Sequence, residues 1–311
     1  MPHSMRSSGF HHEAVFYAGD DEYVAGLTED ICSAIDGDGA VLVAVGEAKT
    51  ELLREALGSR ADNVKFADME QLGRNPGRII PAWRTFVSDA GPGPVVGVGE
   101  PVWPGRSDQE LVECRRHEAL LNLAFDGLRE WRLLCPYDAE ALDPAVLEDA
   151  RRSHPHVVEN RVRRHSERYV SPAELLSLDG ALEPPPTRPS VLAFTGEDLG
   201  LVRSFVTAEV TLAGFDQDRL PDLLLAINEL AANSLRHGGG RGVLRSWTED
   251  DTFVCEIHDG GRIDDLLVGR ERPSDLRGDG RGFWLVNHVC DLVQVRSSYT
   301  GNVVRLHMRL G

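Results

Sequence analysis

The stretch Glu183-Pro-Pro-Pro-Thr-Arg-Pro189 divides this chain of 311 residues. Its four prolines fix φ and remove backbone donors, so neither a helix interior nor a central strand can pass through it. The sequence therefore predicts a stiff polyproline spacer over residues 171–190 and a separate core on each side. Before the spacer, short apolar runs at 14–17, 40–45, 95–98 and 131–135 alternate with stretches of helical period at 22–35 and 108–124. Strands alternating with helices predict an α/β domain with a largely parallel sheet over residues 13–170. Residues 1–12 read as a flexible leader without function, and residues 144–170 as a polar connecting helix in whose charge run His154, His156 and His165 lie at the surface. After the spacer, the pattern predicts strands at 191–194, 242–247, 252–258, 292–297 and 302–308, with helices at 197–213, 221–237 and 283–290. Helices grouped beside mostly antiparallel strands make residues 191–311 an α+β sandwich.

Charge narrows the function. The 50 acidic residues outnumber the 33 basic ones, for a net charge of −17, whereas binding to phosphate backbones needs a basic surface. Residues 1–150 carry 27 acidic and 13 basic side chains, a net of −14, against 23 and 20, a net of −3, in the rest. Direct nucleic-acid binding is not expected. No apolar run approaches the roughly 20 residues that span a bilayer, so no membrane association is expected either. The five cysteines are scattered, odd in number and free of C-x-x-C spacing, which predicts a cytoplasmic protein without a disulfide framework or a structural zinc site.

The chemistry concentrates in three segments after the spacer. Glu229, Asn233 and His237 recur every four residues, so they share one helix face beside the apolar stripe of Leu223, Leu224, Ile227 and Leu230. A carboxamide oxygen one turn from a carboxylate suits a hydrated Mg²⁺ and an acceptor for a nucleophile's proton. The second segment, Cys255-Glu-Ile-His-Asp259-Gly-Gly261, ends a strand in a carboxylate followed by two glycines. In the third, Gly278-Asp-Gly280-Arg-Gly282 opens a helix, and glycines before a helix N-terminus bare the N–H groups that cradle phosphate.

In this order the three segments resemble the nucleotide-binding fold shared by histidine kinases, related chaperone ATPases and the RsbW-type anti-sigma serine kinases, of the Bergerat type, over residues 190–310. The short lid between Asp259 and Gly280 places the likeness nearest the RsbW branch. That resemblance implies ATP and Mg²⁺ as cofactors. It casts Glu229 as catalytic base, Asn233 as Mg²⁺ ligand, Asp259 as reader of the adenine amino group, Gly261 as the space for adenine, and Gly280 and Gly282 as phosphate holders. His237 and Arg281 complete the expected nucleotide contacts, since arginines can replace the lysines this chain lacks; only Lys49 and Lys65 are present. Two positions depart from the family pattern: Ile263 stands where a glycine is frequent, and Asn302 where a threonine is. The implied activity is a cytoplasmic protein serine kinase that phosphorylates an anti-sigma antagonist, sequesters a sigma factor, or both. The alternative is a partner-switching module that binds ATP without turnover.

The first half is read through Gly99-Glu100-Pro-Val-Trp103, the helix bearing His117, and Leu133-Leu-Cys135-Pro-Tyr137. Each loop follows a predicted strand, where open α/β sheets place ligand crevices. Over residues 11–170 these segments resemble the MEDS, or dichloromethane-repressor-like, sensory domain, which implies a RecA-like layered fold and a small-molecule or partner signal. Glu100, Trp103, His117 and Tyr137 are the expected sensing pocket. Glu113 and His117, one turn apart, could join Cys135 on a metal, although the spacing favours a helix-surface ion pair. The sequence leaves room for a homodimer.

Overall fold

The computed structural model describes residues 9–177, 179–273 and 281–311. They form two compact units, Met1–Asp179 and Gly180–Gly311.

The first unit runs β1 (Phe10–Tyr17), α1 (Gly19–Asp36), β2 (Ala40–Val45), α2 (Glu47–Leu57), β3 (Val64–Asp68), α3 (Met69–Leu72), α4 (Ile79–Asp89), β4 (Val95–Gly99), α5 (Asp108–Ala124), β5 (Trp131–Asp138), α6 (Pro144–Ser153), β6 (His156–Glu159), β7 (Val162–His165) and α7 (Pro172–Ser177). Its seven strands are ordered β3-β2-β4-β5-β1-β6-β7, and neighbours run parallel except β6 and β7. This is the expected α/β layer, and β4 is buried along its whole length, as a sheet covered on both faces requires. Tyr23, Leu27 and Ile31 of α1 and Leu53 of α2 pack with Val15, Val43 and Val98. Among the aromatics, Trp131 stacks on Phe10 at 4.8 Å and meets Phe125 edge-on at 4.7 Å. Trp83 lies so close to β4 that a Cβ on Gly97 or Gly99 would come within 2.9 or 2.8 Å of its ring.

Four expectations change here. The supposed leader is already strand from Phe10, because His12 and Ala14 face inward beside β5 rather than into water. Residues 144–170 are not one polar helix: α6 stops before Pro155, which disfavours helical backbone at His154. The chain then turns through Asn160 and Arg161, both at positive φ, and pairs Glu159 with Val162 in a two-residue hairpin. His154 is fully buried, not on the surface, while His165 is exposed. Residues 172–177 of the expected spacer are helical, as α7.

The second unit runs β8 (Ser190–Thr195), α8 (Leu199–Ala213), α9 (Leu220–His237), β9 (Arg241–Glu249), β10 (Thr252–Asp259), α10 (Arg281–Val289), β11 (Leu292–Ser298) and β12 (Gly301–Arg309). The sheet order is β11-β12-β10-β9-β8, antiparallel throughout, so this unit is the α+β sandwich. Val202, Val206 and Val210 of α8 join Leu223, Ile227 and Leu230 of α9 over Phe253, Ile257 and Leu306 of the sheet. Gly214 closes α8 in the left-handed region at φ +72°, where a side chain would strain the backbone.

Arg305 pairs with Glu256 across the β10–β12 register, its Nε at 2.9 Å and Nη2 at 2.6 Å from one carboxylate oxygen. Nη2 also donates to the carbonyl of Glu183 at 2.7 Å. The proline-rich stretch is thus tied to the sheet: prolines lose their N–H, yet the carbonyls of the stretch remain acceptors. Both members of the pair are nearly inaccessible, at 4% and 3% side-chain exposure. Arg305→Met should therefore lower stability by roughly 3 kcal/mol, because it strips the buried Glu256 Oε2 of its partner and leaves only His258 and the more distant Arg245 beside Oε1. Replacing both residues by Met should restore most of that loss. Urea unfolding of the three proteins checks it, and a double variant as weak as the single one refutes the pairing argument.

Candidate functional site

Helix α9 supplies most of the site. Leu223, Ala226, Ile227, Leu230 and Ala231 recur at three- and four-residue spacing and are buried, which leaves Glu229 and Asn233 half-buried beside them. Against that polar stripe lies the N-terminus of α10. A Cβ on Gly282 would fall 2.8 Å from Glu229 Oε2 and 3.1 Å from Asn233 Nδ2. Only glycine fits there without displacing these two side chains, so the first turn of α10 comes directly up to a carboxylate and a carboxamide. Asn233 Oδ1 accepts a hydrogen bond from Arg236 Nη2 at 2.9 Å.

One residue further along α9, Ser234 Oγ donates to Asp259 Oδ2 at 2.7 Å. The other oxygen, Oδ1, accepts from the Gly261 N–H at 2.8 Å and from Asn302 Nδ2 at 3.0 Å. Asn302 is itself oriented by Ser297, whose Oγ donates to Asn302 Oδ1 at 2.7 Å and accepts from the Ile263 N–H at 2.9 Å. Glycines let the two backbones meet: a Cβ on Gly238 would fall 2.5 Å from Asp259 Cγ, and one on Gly261 would fall 2.6 Å from the His237 carbonyl oxygen. Further on, Asn287 Nδ2 holds the Gly269 carbonyl at 3.1 Å and anchors the loop after β10 to α10.

The structure thus brings Glu229, Asn233 and Gly282 together, and Asp259, Gly261 and the His237 backbone together. The His237 and Arg281 side chains are exposed. Gly280 lies outside the described residues. Ser234, Ser297, Asn302 as a clamp and Asn287 escaped the sequence reading. Ser234 adjoins Asn233 and was within reach, whereas the Asn302–Asp259 bond spans 43 residues and needs the strand register.

In the first unit the four residues of the expected sensing pocket have different surroundings. Glu100 is 3% exposed and is used by Lys49 and Tyr17, both hydrogen-bonded to its Oε1. Burial pushes its carboxyl up, and Lys49 opposes that shift. The Arg106 guanidinium stacks on Trp103 at 3.6 Å, and His117 is buried on α5. Tyr137 alone of the four lines a cavity of about 80 Å³, together with Glu118, Val102, Leu111, Val146 and Ala150 among others. Glu113 is buried rather than on the helix surface, and it pairs with Arg116 at 3.5 Å. Cys135 turns instead to His12, 3.4 Å away, and to Glu118. Burial first, and then the neighbouring His154, lower the His12 imidazole to about 4.

The sensory-domain model described as "MEthanogen/methylotroph, DcmR Sensory domain", or MEDS, matches residues 11–155, and the model described as "Histidine kinase-like ATPase domain" matches residues 192–308. The chain joins a MEDS domain to a histidine kinase-like ATPase domain. No curated protein matches it. Among solved structures, the RsbU and RsbW domains of Rv1364c from Mycobacterium tuberculosis align at 17% identity and a TM-score of 0.31, covering 40% of this chain and 33% of that one. The histidine kinase AdeS of Acinetobacter baumannii aligns at 12% identity and a TM-score of 0.26, covering 40% of this chain and 70% of its own. The chain therefore spans about a third of the first of these structures. Among the described residues, no helix is long and apolar enough to cross a membrane.

Within the ATPase domain, the Asp259 clamp depends on a side chain that departs from the frequent threonine. Asn302→Ala removes one donor to Asp259 and leaves the Ser297 hydroxyl without its acceptor. It should lower stability by about 1–2 kcal/mol. An unchanged urea midpoint would show that the clamp contributes nothing to stability.

Proposed function

We propose that the ATPase domain binds Mg·ATP and transfers its γ-phosphoryl group to a serine of an anti-sigma antagonist, and that the same chain sequesters a sigma factor under control of the MEDS domain. The supporting observation is the seat of Gly282 against Glu229 and Asn233, a space that any larger residue would fill. A helix N-terminus, a carboxylate and the Asn233 carboxamide thus meet there, and with the amide turned so that Oδ1 faces the gap they are the set that a polyphosphate with its cation requires. Bound there, Mg·ATP would supply the phosphoryl group and the cation that neutralises the phosphates.

The residues then divide the work. Asn233 Oδ1 would hold Mg²⁺, giving up its bond from Arg236. Glu229 would take the proton of the serine hydroxyl as the serine oxygen bonds to phosphorus and the bond to the ADP oxygen breaks. Asp259, held by Ser234, Gly261 and Asn302, keeps one acceptor site on Oδ2 for the exocyclic amine of adenine. Gly261 would leave room for the ring, Gly280 and Gly282 would hold phosphates, and Arg281 and His237 would flank the polyphosphate end.

The test uses the full-length protein, labelled ATP, and partners recovered by pull-down from its own cytosol with and without ATP. Transfer of label to a captured serine-bearing antagonist is the expected result. Glu229→Ala should reduce that transfer by about 10²–10⁴-fold and change nucleotide affinity little. Label reaching the antagonist at the wild-type rate would exclude Glu229 as the base. ATP binding by the wild type with no transfer would instead make the domain a switch that uses ATP as a conformational ligand.

A further inference from the structure

The first unit buries a polar cluster that the kinase reading leaves unused. His12 on β1, Glu118 on α5, Cys135 on β5 and His154 just after α6 are each 1% exposed or less. The β1–β5 register sets Ala14 opposite Cys135 and His12 opposite Leu133, which places His12 and Cys135 on the same face of neighbouring strands. Glu118 descends onto that face from α5. His12 Nε2 lies 3.0 Å from Glu118 Oε2 and 3.4 Å from Cys135 Sγ. Glu118 Oε2 lies 3.7 Å from Cys135 Sγ and 3.4 Å from His154 Nε2. All four ligand atoms fall within 4.8 Å of one another. Bonds of about 2.0–2.3 Å to a tetrahedral centre put its ligands roughly 3.3–3.8 Å apart, and the observed separations bracket that edge.

Hydrogen bonds around the cluster place a proton on the outer nitrogen, Nδ1, of each imidazole. Asn122 Nδ2 donates to the carbonyls of Ser153 at 2.8 Å and Glu118 at 3.3 Å. Its Oδ1 is therefore the atom facing His12 Nδ1 at 3.0 Å, and that nitrogen must donate. His154 Nδ1 lies 2.8 Å from the carbonyl of Ala150, which can only accept. As neutral rings, both imidazoles would turn the lone pair of Nε2 toward the Glu118 carboxylate. His154 Nε2 makes no bond of hydrogen-bond geometry, although the residue is fully buried. With neutral rings, three acceptors converge and only the Cys135 thiol supplies a proton, an arrangement that costs free energy unless a cation joins it, be it a proton or a metal ion.

We propose that His12, Glu118, Cys135 and His154 hold a divalent transition-metal ion, for which Zn²⁺ suits the mixed nitrogen, oxygen and sulfur donors best. On binding, Cys135 releases its proton to solvent. The thiolate and the Glu118 carboxylate then cancel the two positive charges, which leaves a neutral centre among buried side chains. Asn122 and the Ala150 carbonyl are the outer partners that orient the two imidazoles. The cavity of about 80 Å³ beside Glu118 and Tyr137 gives a small ligand room next to the ion. The sequence expectation of no structural zinc site rested on paired cysteines; this set needs only one.

The test is independent of nucleotide chemistry. Full-length protein stripped with a chelator is titrated with Co²⁺ as a spectroscopic probe and then with Zn²⁺ as competitor. Expected are one Co²⁺ per chain, the visible absorption of four-coordinate cobalt, a thiolate-to-cobalt charge-transfer band in the near ultraviolet, and loss of all these signals on adding Zn²⁺. Cys135→Ser should abolish the charge-transfer band, and His154→Gln should weaken Co²⁺ affinity at least about tenfold, with circular dichroism checking that each variant is folded. If either variant fails to fold, the wild-type stoichiometry and spectrum decide alone. Folded wild-type protein that takes up no Co²⁺, or a Cys135→Ser variant with the same band, would overturn the site and leave a proton-sharing His–Glu pair.

Discussion

In the ATPase domain everything near the site depends on how α9 lies on its sheet. The helix must bury Leu223, Ala226, Ile227, Leu230 and Ala231 against β-strands, and a 3.6-residue period then leaves no freedom in where Glu229 and Asn233 point. With them fixed, α10 can approach only through a residue without a side chain, which is Gly282. One position further, Ser234 ties the same helix to Asp259. Packing of apolar side chains thus sets the position of two polar clusters at once, and hydrogen bonds such as Ser234 to Asp259 then orient the groups within them.

Buried carboxylates in this chain are compensated in two ways. Glu256 and Arg305 close a pair by direct bonds between neighbouring strands, and the guanidinium has a donor left over that fastens the backbone of Glu183. In the MEDS domain Glu100 is matched by Lys49 and Tyr17. Glu118 differs from both, because the groups around it are two imidazoles and a thiol rather than a fixed cation. That contrast within one chain is what gives the His12, Glu118, Cys135 and His154 cluster its chemical meaning.

Sequence periodicity carried far where contacts are local. The boundaries of β2 and α5 follow from their apolar patterns, and the polar stripe on α9 follows from spacing by four. Reading failed where a residue's role depends on partners far along the chain. His12 sat in a polar leader and meets Glu118 across 106 residues. His154 sat in a run of arginines, yet Pro155 ends α6 just where the imidazole turns inward. The hairpin of β6 and β7 was hidden because charged residues fill it and its turn uses Asn160 and Arg161 instead of glycine. Tyr137 was singled out for its position after a strand, but its neighbours in the cavity come from α5 and α6.

By itself the sequence determined the α/β and α+β character of the two parts, the proline stretch near which they divide, and the polar stripe and glycines of α9, β10 and α10. These follow from local rules: the geometry of proline, the periods of helix and strand, and the need for glycine where backbones close up. The tertiary structure alone decided which polar groups share a site. It set Asn302 on Asp259 through the register of β10 and β12, and His12 beside Cys135 through the pairing of β1 with β5. Strand order and register are fixed by burial summed over a whole sheet, so no single segment contains the information that brings those side chains together.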